Sequence, residues 1–440
     1  MSDVTLTGAY RDPDTTPPIA QAVPLGLQHV LAMFASNVTP SIIVAGAAGL
    51  AFGGAEQVYL IQMAMLFAGI ATLFQTVGVG PVGARLPIMQ GTSFAFVGVL
   101  AGVAATQGLG VALTACLIGG VIHFGLGSVI GKLRWLFPPL ITGLVILAIG
   151  LYLIPVAIKY AAGGAATFQM EAESFGSLMH WSVALTVVIV ALVLKFFTTG
   201  LLSNAAILVG LLAGYVLAFI LGMVSFAPVA NASWLTGLTP LPYGFEFSLG
   251  AVIAVTLVSI VSAIETVGDA SATTKAGAGR EATDREIAGA TYADGLGTAV
   301  AAVFGGLPNT SFSQNVGIVS MTGIMSRHVV TIGALFLVLC GLVPKVGAVI
   351  ASMPLPVLGG GVIVMFGMVA AAGLNVLSEV EMNRRNMMII AVSLAAGLGL
   401  NLVPTAVQYL PGVINTLMTS AVAPTAIVAI VLNLVLPKEI

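Results

Sequence analysis

Charge is what this chain has least of. Only 7% of its 440 residues are Asp, Glu, Lys or Arg, against about 25% in an average soluble domain. With 58% hydrophobic residues and a mean hydropathy of +1.11, the composition is that of an integral membrane protein. The formal net charge is −2 and no long basic run is present, which argues against nucleic acid as a partner. Cysteine is nearly missing too. Cys116 and Cys340 both fall in apolar stretches and read as free thiols rather than a disulfide. Enzyme motifs are lacking: there is no HExxH, no pair of catalytic aspartates on separate helices and no Ser–His arrangement. Neither an enzyme nor a resident cofactor or metal is expected. Residues 1–20 are polar and rich in Asp and Pro, without the basic start and apolar run of a cleaved signal peptide. They are expected to form a disordered cytoplasmic tail, with every span inserting uncleaved.

What is present is a series of apolar runs. A helical bilayer span needs about 20 such residues. Breaks at Gly, Pro and charge divide the chain into segments near 24–45, 57–79, 88–105, 109–131, 137–158, 180–197, 200–223, 248–273, 286–304, 309–324, 328–352, 355–377, 384–402 and 419–437. The fold class expected is therefore all-α integral membrane with fourteen transmembrane segments. The third and tenth are short and interrupted by polar residues, the pattern of a broken helix. Irregular backbone survives at membrane depth only where it lines a protected cavity.

The halves repeat. Thr92-Ser93-Phe94 recurs as Thr310-Ser311-Phe312, Gly125-Leu126 as Gly341-Leu342, and Pro139 to Gly150 lines up with Pro356 to Gly367. The offsets are 218, 216 and 217 positions, close to half the chain. Seven segments per half is odd, so the halves must insert with opposite orientation. A 7+7 inverted repeat with one broken helix in each half is the architecture of a secondary transporter, with its site where the broken helices meet. The basic residues agree with cytoplasmic termini. Arg11, Arg85, Lys132, Arg134, Lys195, Lys275, Arg280, Arg285, Arg327, Arg384, Arg385 and Lys438 fall on the inner side, and Lys159 and Lys345 on the outer.

Ionisable groups inside spans are costly and mark function by default. Glu265 and Asp269 lie four apart, on one helix face. Two carboxylates so close in a low dielectric are expected to titrate as a pair. No basic residue stands mid-span to neutralise Glu265. Asp269 and Asp294 can be read either as proton carriers or as members of a network tying two segments together. His29 can be a ligand or a hydrogen-bond partner of a neighbouring helix. His123 reads as a satisfied packing group, and His180 and His328 as interfacial. The runs Gly119-Gly120 and Gly359 to Gly361 read as close helix packing.

Gln314-Asn315-Val316-Gly317, followed after four residues by Thr322-Gly323, is similar to the signature of the nucleobase–ascorbate transporters (nucleobase:cation symporters, type 2). Gln28-His29, Ser93-Phe94, Glu265 to Asp269 and Asp294-Gly295 resemble that family's motifs in segments one, three, eight and nine. The resemblance implies two intertwined repeats, with short antiparallel strands from segments three and ten meeting near the midplane. It implies a core domain in 21–132 and 246–353, a gate domain in 133–245 and 354–440, and a homodimer formed through the gates. It further implies that Glu265 and Gln314 hold a base, that Phe94 packs on its ring, and that backbone amides near Ser93 and Ser313 bond it. Asp269, Asp294, His29 and Asn315 would support the site and proton coupling.

Subtype follows the same resemblance. Uracil carriers of the family have an acid where Gln314 stands and ascorbate-type members a proline. A glutamine amide can pair donor and acceptor with a purine edge. Asp269 resembles purine carriers and Gly323 the microbial purine subgroup. Ser93, where xanthine-selective members usually have Asn, is similar to relatives that accept uric acid. The function expected is proton-coupled import of xanthine and/or uric acid across the cytoplasmic (inner) membrane by rocking, elevator-like alternating access. The coupling ion would be H+. The alternatives are a uracil or broad nucleobase symporter and an anion exchanger of the same architecture.

Overall fold

The computed structural model describes residues 10–437 apart from 137, 165–167, 169, 171–172 and 236. Lys438 and residues 1–9 of the expected tail lie outside that range. The structure is helical with one small sheet. In chain order the main elements are α1 (Ile19–Ala47), α2 (Ala55–Val77), β1 (Gln90–Thr92), α3 (Val97–Gln107), α4 (Leu109–Leu126), α5 (Pro139–Ala161), α6 (Leu178–Phe197) and α7 (Ala206–Ile220). They continue as α8 (Leu249–Ala278), α9 (Asp284–Val303), β2 (Asn309–Ser311), α10 (Ser313–Thr322), α11 (Arg327–Leu342), α12 (Leu355–Ser378), α13 (Arg384–Leu402) and α14 (Val422–Val435). Local chemistry sets several of the starts. Ser177, Ser248 and Asn383 cap α6, α8 and α13, and Thr283 with Glu286 forms a capping box at α9.

Among the described residues, eight helices are long and apolar enough to cross a membrane, or nine if one bent pair counts as a single span. Helices α3, α7 and α14 are apolar but shorter. The expected segment 328–352 is the bent pair. Helix α11 stops at Leu342, and Pro344–Ala351 continues at 81° to it, because proline at a helix's first turn favours a fresh start over continuation. The expected lead-in is shorter than 1–20. Helix α1 already begins at Ile19, and the residues before it are bonded to the α10–α11 turn. Tyr10 and Pro13 carbonyls accept the Met325 and Arg327 amides, and Asp14 pairs with Arg327 at 2.6 Å. Arg327 overrides the local polarity of this stretch by offering it a charged partner.

Packing divides the helices into two groups. Helices α1 to α4 pack chiefly with α8 to α11, and α5 to α7 with α12 to α14. Glycine sets the closest approaches. A Cβ at Gly150 would lie 2.4 Å from the Ala370 nitrogen, bringing α5 against α12, and one at Gly359 would lie 2.1 Å from that of Ala161. Between α4 and α9, a Cβ at Gly295 would lie 2.2 Å from the Phe124 nitrogen and 2.5 Å from its Cα. Small residues let membrane helices approach where apolar burial cannot discriminate helix from lipid. Gly295→Ala must push backbone apart, an overpacking cost of about 1–3 kcal/mol. A lowered melting temperature of the detergent-solubilised protein is expected; an unchanged one would remove this contact from the packing account.

Candidate functional site

The two broken segments meet as β1 and β2. They pair antiparallel, Gln90 with Ser311, Gly91 with Thr310 and Thr92 with Asn309. Pairing runs one residue further at each end, with the Ser93 amide donating to the Pro308 carbonyl at 2.9 Å and the Phe312 amide to Met89 at 3.0 Å. Two three-residue strands would otherwise leave open edges in an apolar medium. Side chains from neighbouring helices fill them. Asn37 Oδ1 of α1 accepts the Thr92 amide at 2.8 Å, Thr72 Oγ1 of α2 the Gln90 amide at 2.9 Å, and Thr298 Oγ1 of α9 the Asn309 amide at 3.0 Å. Gly91 is required by close approach, since a Cβ there would lie 2.5 Å from the Phe312 ring.

Beyond each strand the chain turns into a half-helix, α3 or α10, and neither carries a side-chain cap. The first amides of a helix have no partner inside it, and those of Ser313 and Gln314 have no acceptor outside α10 among the described residues. Of the amides near Ser93, that of Ser93 itself is spent on Pro308, because the sheet extends beyond its three formal pairs. The next amide, that of Phe94, has no backbone acceptor among the described residues.

A cavity of about 240 Å³ lies where strands and half-helices converge. Ser93, Phe94, Glu265, Ser313 and Gln314 all line it, together with Thr310, Ser311 and Phe312. Thr92 and Ala95 also line it, and the facing wall is apolar and comes from the other helix group: Ile146 and Ile149 of α5, Met368, Val369 and Ala372 of α12. Among the described residues, no basic side chain lines it. Phe94 stands edge-on to Phe366 of α12, with ring centroids 5.3 Å apart and planes at 89°.

Asp269 accepts the hydroxyls of Ser311 at 2.6 Å and Ser313 at 2.7 Å. Fully buried Asp294 accepts from the Gln90 amide and the Thr266 hydroxyl. Both carboxyls thus tie α8 and α9 to the strands and α10. Glu265 itself makes no hydrogen bond among the described residues, which leaves its carboxyl for the cavity. Asn315 and His29 are brought together but away from the cavity. The Asn315 amide nitrogen lies 3.0 Å from His29 Nδ1 and 3.0 Å from its carbonyl oxygen, joining α10 to α1.

One histidine differs from expectation. His123 is buried, yet neither ring nitrogen has a partner among the described residues. His180 lies in the first turn of α6, with Nδ1 2.9 Å from the Ala162 carbonyl. Gln90 and Thr266, which bond Asp294, were legible as polar residues within broken or acidic segments. The aliphatic wall carried no such signal.

The Permease family profile matches residues 20–406 of this chain. The chain is 35% identical to the xanthine permease XanP of Escherichia coli over 445 residues, 96% of this chain and 93% of that one. It is 37% identical to the uric acid permease PucK of Bacillus subtilis over 415 residues, 94% of this chain and 95% of that one. The transmembrane domain of a cyanobacterium bicarbonate transporter, BicA, superposes with a TM-score of 0.63 at 15% identity, covering 95% of this chain and 98% of that one. That likeness is one of fold alone. On the length and identity of these matches, the chain belongs to the Permease family, whose members are membrane transporters.

Proposed function

We propose that this chain imports oxidised purine nucleobases, xanthine and/or uric acid, across the cytoplasmic membrane, coupled to protons. The observation that carries the reading is the convergence of a carboxyl, Glu265, and an amide, Gln314, on one cavity beside the Phe94 ring and the backbone amides of Phe94, Ser313 and Gln314, which have no backbone acceptor outside their helix among the described residues. A flat heterocycle with donors and acceptors around its edge fits such a lining. Gln314 and Glu265 clamp the edge, the amides bond exocyclic oxygens, and Phe94 packs on the face, which contributes about 1 kcal/mol beyond area burial. The names of XanP and PucK support the same substrate class. An anion exchanger is disfavoured because an acid and no basic group lines the cavity.

Proton coupling rests on Glu265, Asp269 and Asp294. Charges this close in low dielectric titrate as one set, so a proton gained at one alters the others. Through Ser311 and Ser313 the set reaches the strand and half-helix that hold the substrate. Alternating access then consists of the core, 21–132 with 246–353, moving against the gate, 133–245 with 354–440. The two packing groups support that division. The fourteen-segment 7+7 inverted repeat is supported by the pairing of β1 with β2, whose Thr92 and Thr310 come from equivalent places in the two halves. Helix α13, with only 17% of its apolar window buried, leaves a gate face available for a homodimer. Both termini are assigned to the cytoplasm from the distribution of Lys and Arg.

Uptake of labelled xanthine and urate in a strain lacking its own carriers tests the reading. Accumulation that collapses on adding a proton ionophore is expected. Accumulation indifferent to the ionophore removes coupling, and no uptake of either purine removes the substrate class.

A further inference from the structure

Tyr152 sits one turn beyond Ile149 on α5 and is buried. Its hydroxyl accepts the Gly98 amide of α3 at 2.8 Å and donates to the Phe94 carbonyl at 3.4 Å. Helix α3 has no capping side chain of its own, so a residue of the other helix group satisfies its first turn. Gly98 makes the room, for a Cβ there would lie 3.0 Å from the Tyr152 ring and hydroxyl. Helix α12 holds the same residue from another side through the Phe94–Phe366 ring contact.

Toward the α5 N-terminus the two helix groups meet again. A pocket of about 20 Å³, room for one water, lies between Ile141, Thr142, Val145, Ile146 and Ile149 of α5 and Val261, Ile264 and Glu265 of α8, and shares Ile146, Ile149 and Glu265 with the site. Tyr152 and this junction thus flank the cavity along α5.

We propose that Tyr152 is a positioning residue that latches the Phe94 wall of the cavity to α5 and so holds the two helix groups in one relative position. It does not touch the substrate. Its hydroxyl fixes where the α3 half-helix begins, and reorientation of the carrier requires both bonds to break. The proposal rests on the cavity being the transport site, without depending on which purine fills it.

A chain with Cys116 and Cys340 replaced by serine and Thr142→Cys as a half-buried reporter at the junction of α5 with α8 allows a direct measurement. Labelling by a small thiol reagent is followed in purified protein without substrate. Tyr152→Phe keeps the ring and deletes the hydroxyl. Labelling is expected to change by about two- to tenfold, the population shift that losing one or two hydrogen bonds gives, while the melting temperature moves by no more than about 3 °C. Gly98→Ala displaces the ring without removing the hydroxyl and should change labelling in the same direction, which keeps the test available if Tyr152→Phe does not fold. Labelling that is unchanged in the folded variants overturns the latch. Because no substrate is added, failure of xanthine and urate to raise the wild-type melting temperature would sink the substrate assignment and leave this result standing.

Discussion

Glu265→Gln is expected to lower proton-driven purine accumulation by about 100-fold. The substitution preserves size and shape and deletes the ability to give and take a proton. A charge-assisted hydrogen bond contributes about 1.5–3 kcal/mol, equivalent to roughly 10–150-fold in binding, and the loss of coupling adds to it. The geometry makes the prediction sharp. Glu265 alone of the three acids lines the cavity and has no hydrogen bond among the described residues, whereas Asp269 and Asp294 are each held by two donors. Substrate exchange across a membrane without a proton gradient should fall less than accumulation does, because exchange needs binding but no net proton movement. Uptake of labelled xanthine and urate, measured as net accumulation and as exchange, separates the two. Accumulation within about twofold of wild type would remove Glu265 from coupling, since an effect that small is less than half a kcal/mol.

Gln314→Glu carries the second largest expected effect. A glutamine side chain offers one donor and one acceptor side by side, whereas a carboxylate offers acceptors only. Gln314 lies at the second position of α10, half-buried at the cavity. An acid there would face a purine acceptor with another acceptor and stand in one cavity with Glu265. Leaving a buried polar group unsatisfied costs about 1–3 kcal/mol, or roughly 5–150-fold in affinity. Purine uptake should fall by that factor, with competition by unlabelled uracil rising relative to wild type. Thermal stabilisation by xanthine, urate and uracil gives an independent reading, since a ligand that binds the folded state raises its apparent stability. Purine transport left intact in this variant would take Gln314 out of the site.

Much of this was legible because certain residues are expensive in a membrane. Glu265, Asp269 and Asp294 stand out among apolar neighbours, and their spacings place the first two on one face of α8 and the third on α9. The two Thr-Ser-Phe triplets announced that both halves contribute one broken segment, and β1 and β2 are those segments. The finer polar wiring was not legible. Nothing in the string says that the Ser93 amide is spent on Pro308, that Gln90 reaches Asp294, or that His123 is left without a partner. Those outcomes depend on strand register and helix rotation, and one residue of slip would redirect every one of them.

The sequence by itself determined the medium, the acids and the amide that stand out within it, and the presence of one broken segment in each half. Each of these departs from an apolar background and so leaves a mark at its own position. Only the tertiary structure decided which aliphatic residues face the cavity and which face lipid, since Ile146, Ile149, Met368 and Ala372 are chemically the same as residues turned to acyl chains. It also decided that a tyrosine from one helix group caps a half-helix of the other. In water, burial sorts polar from apolar faces and writes that choice into the sequence. In a bilayer both faces are apolar, and close packing alone makes the distinction.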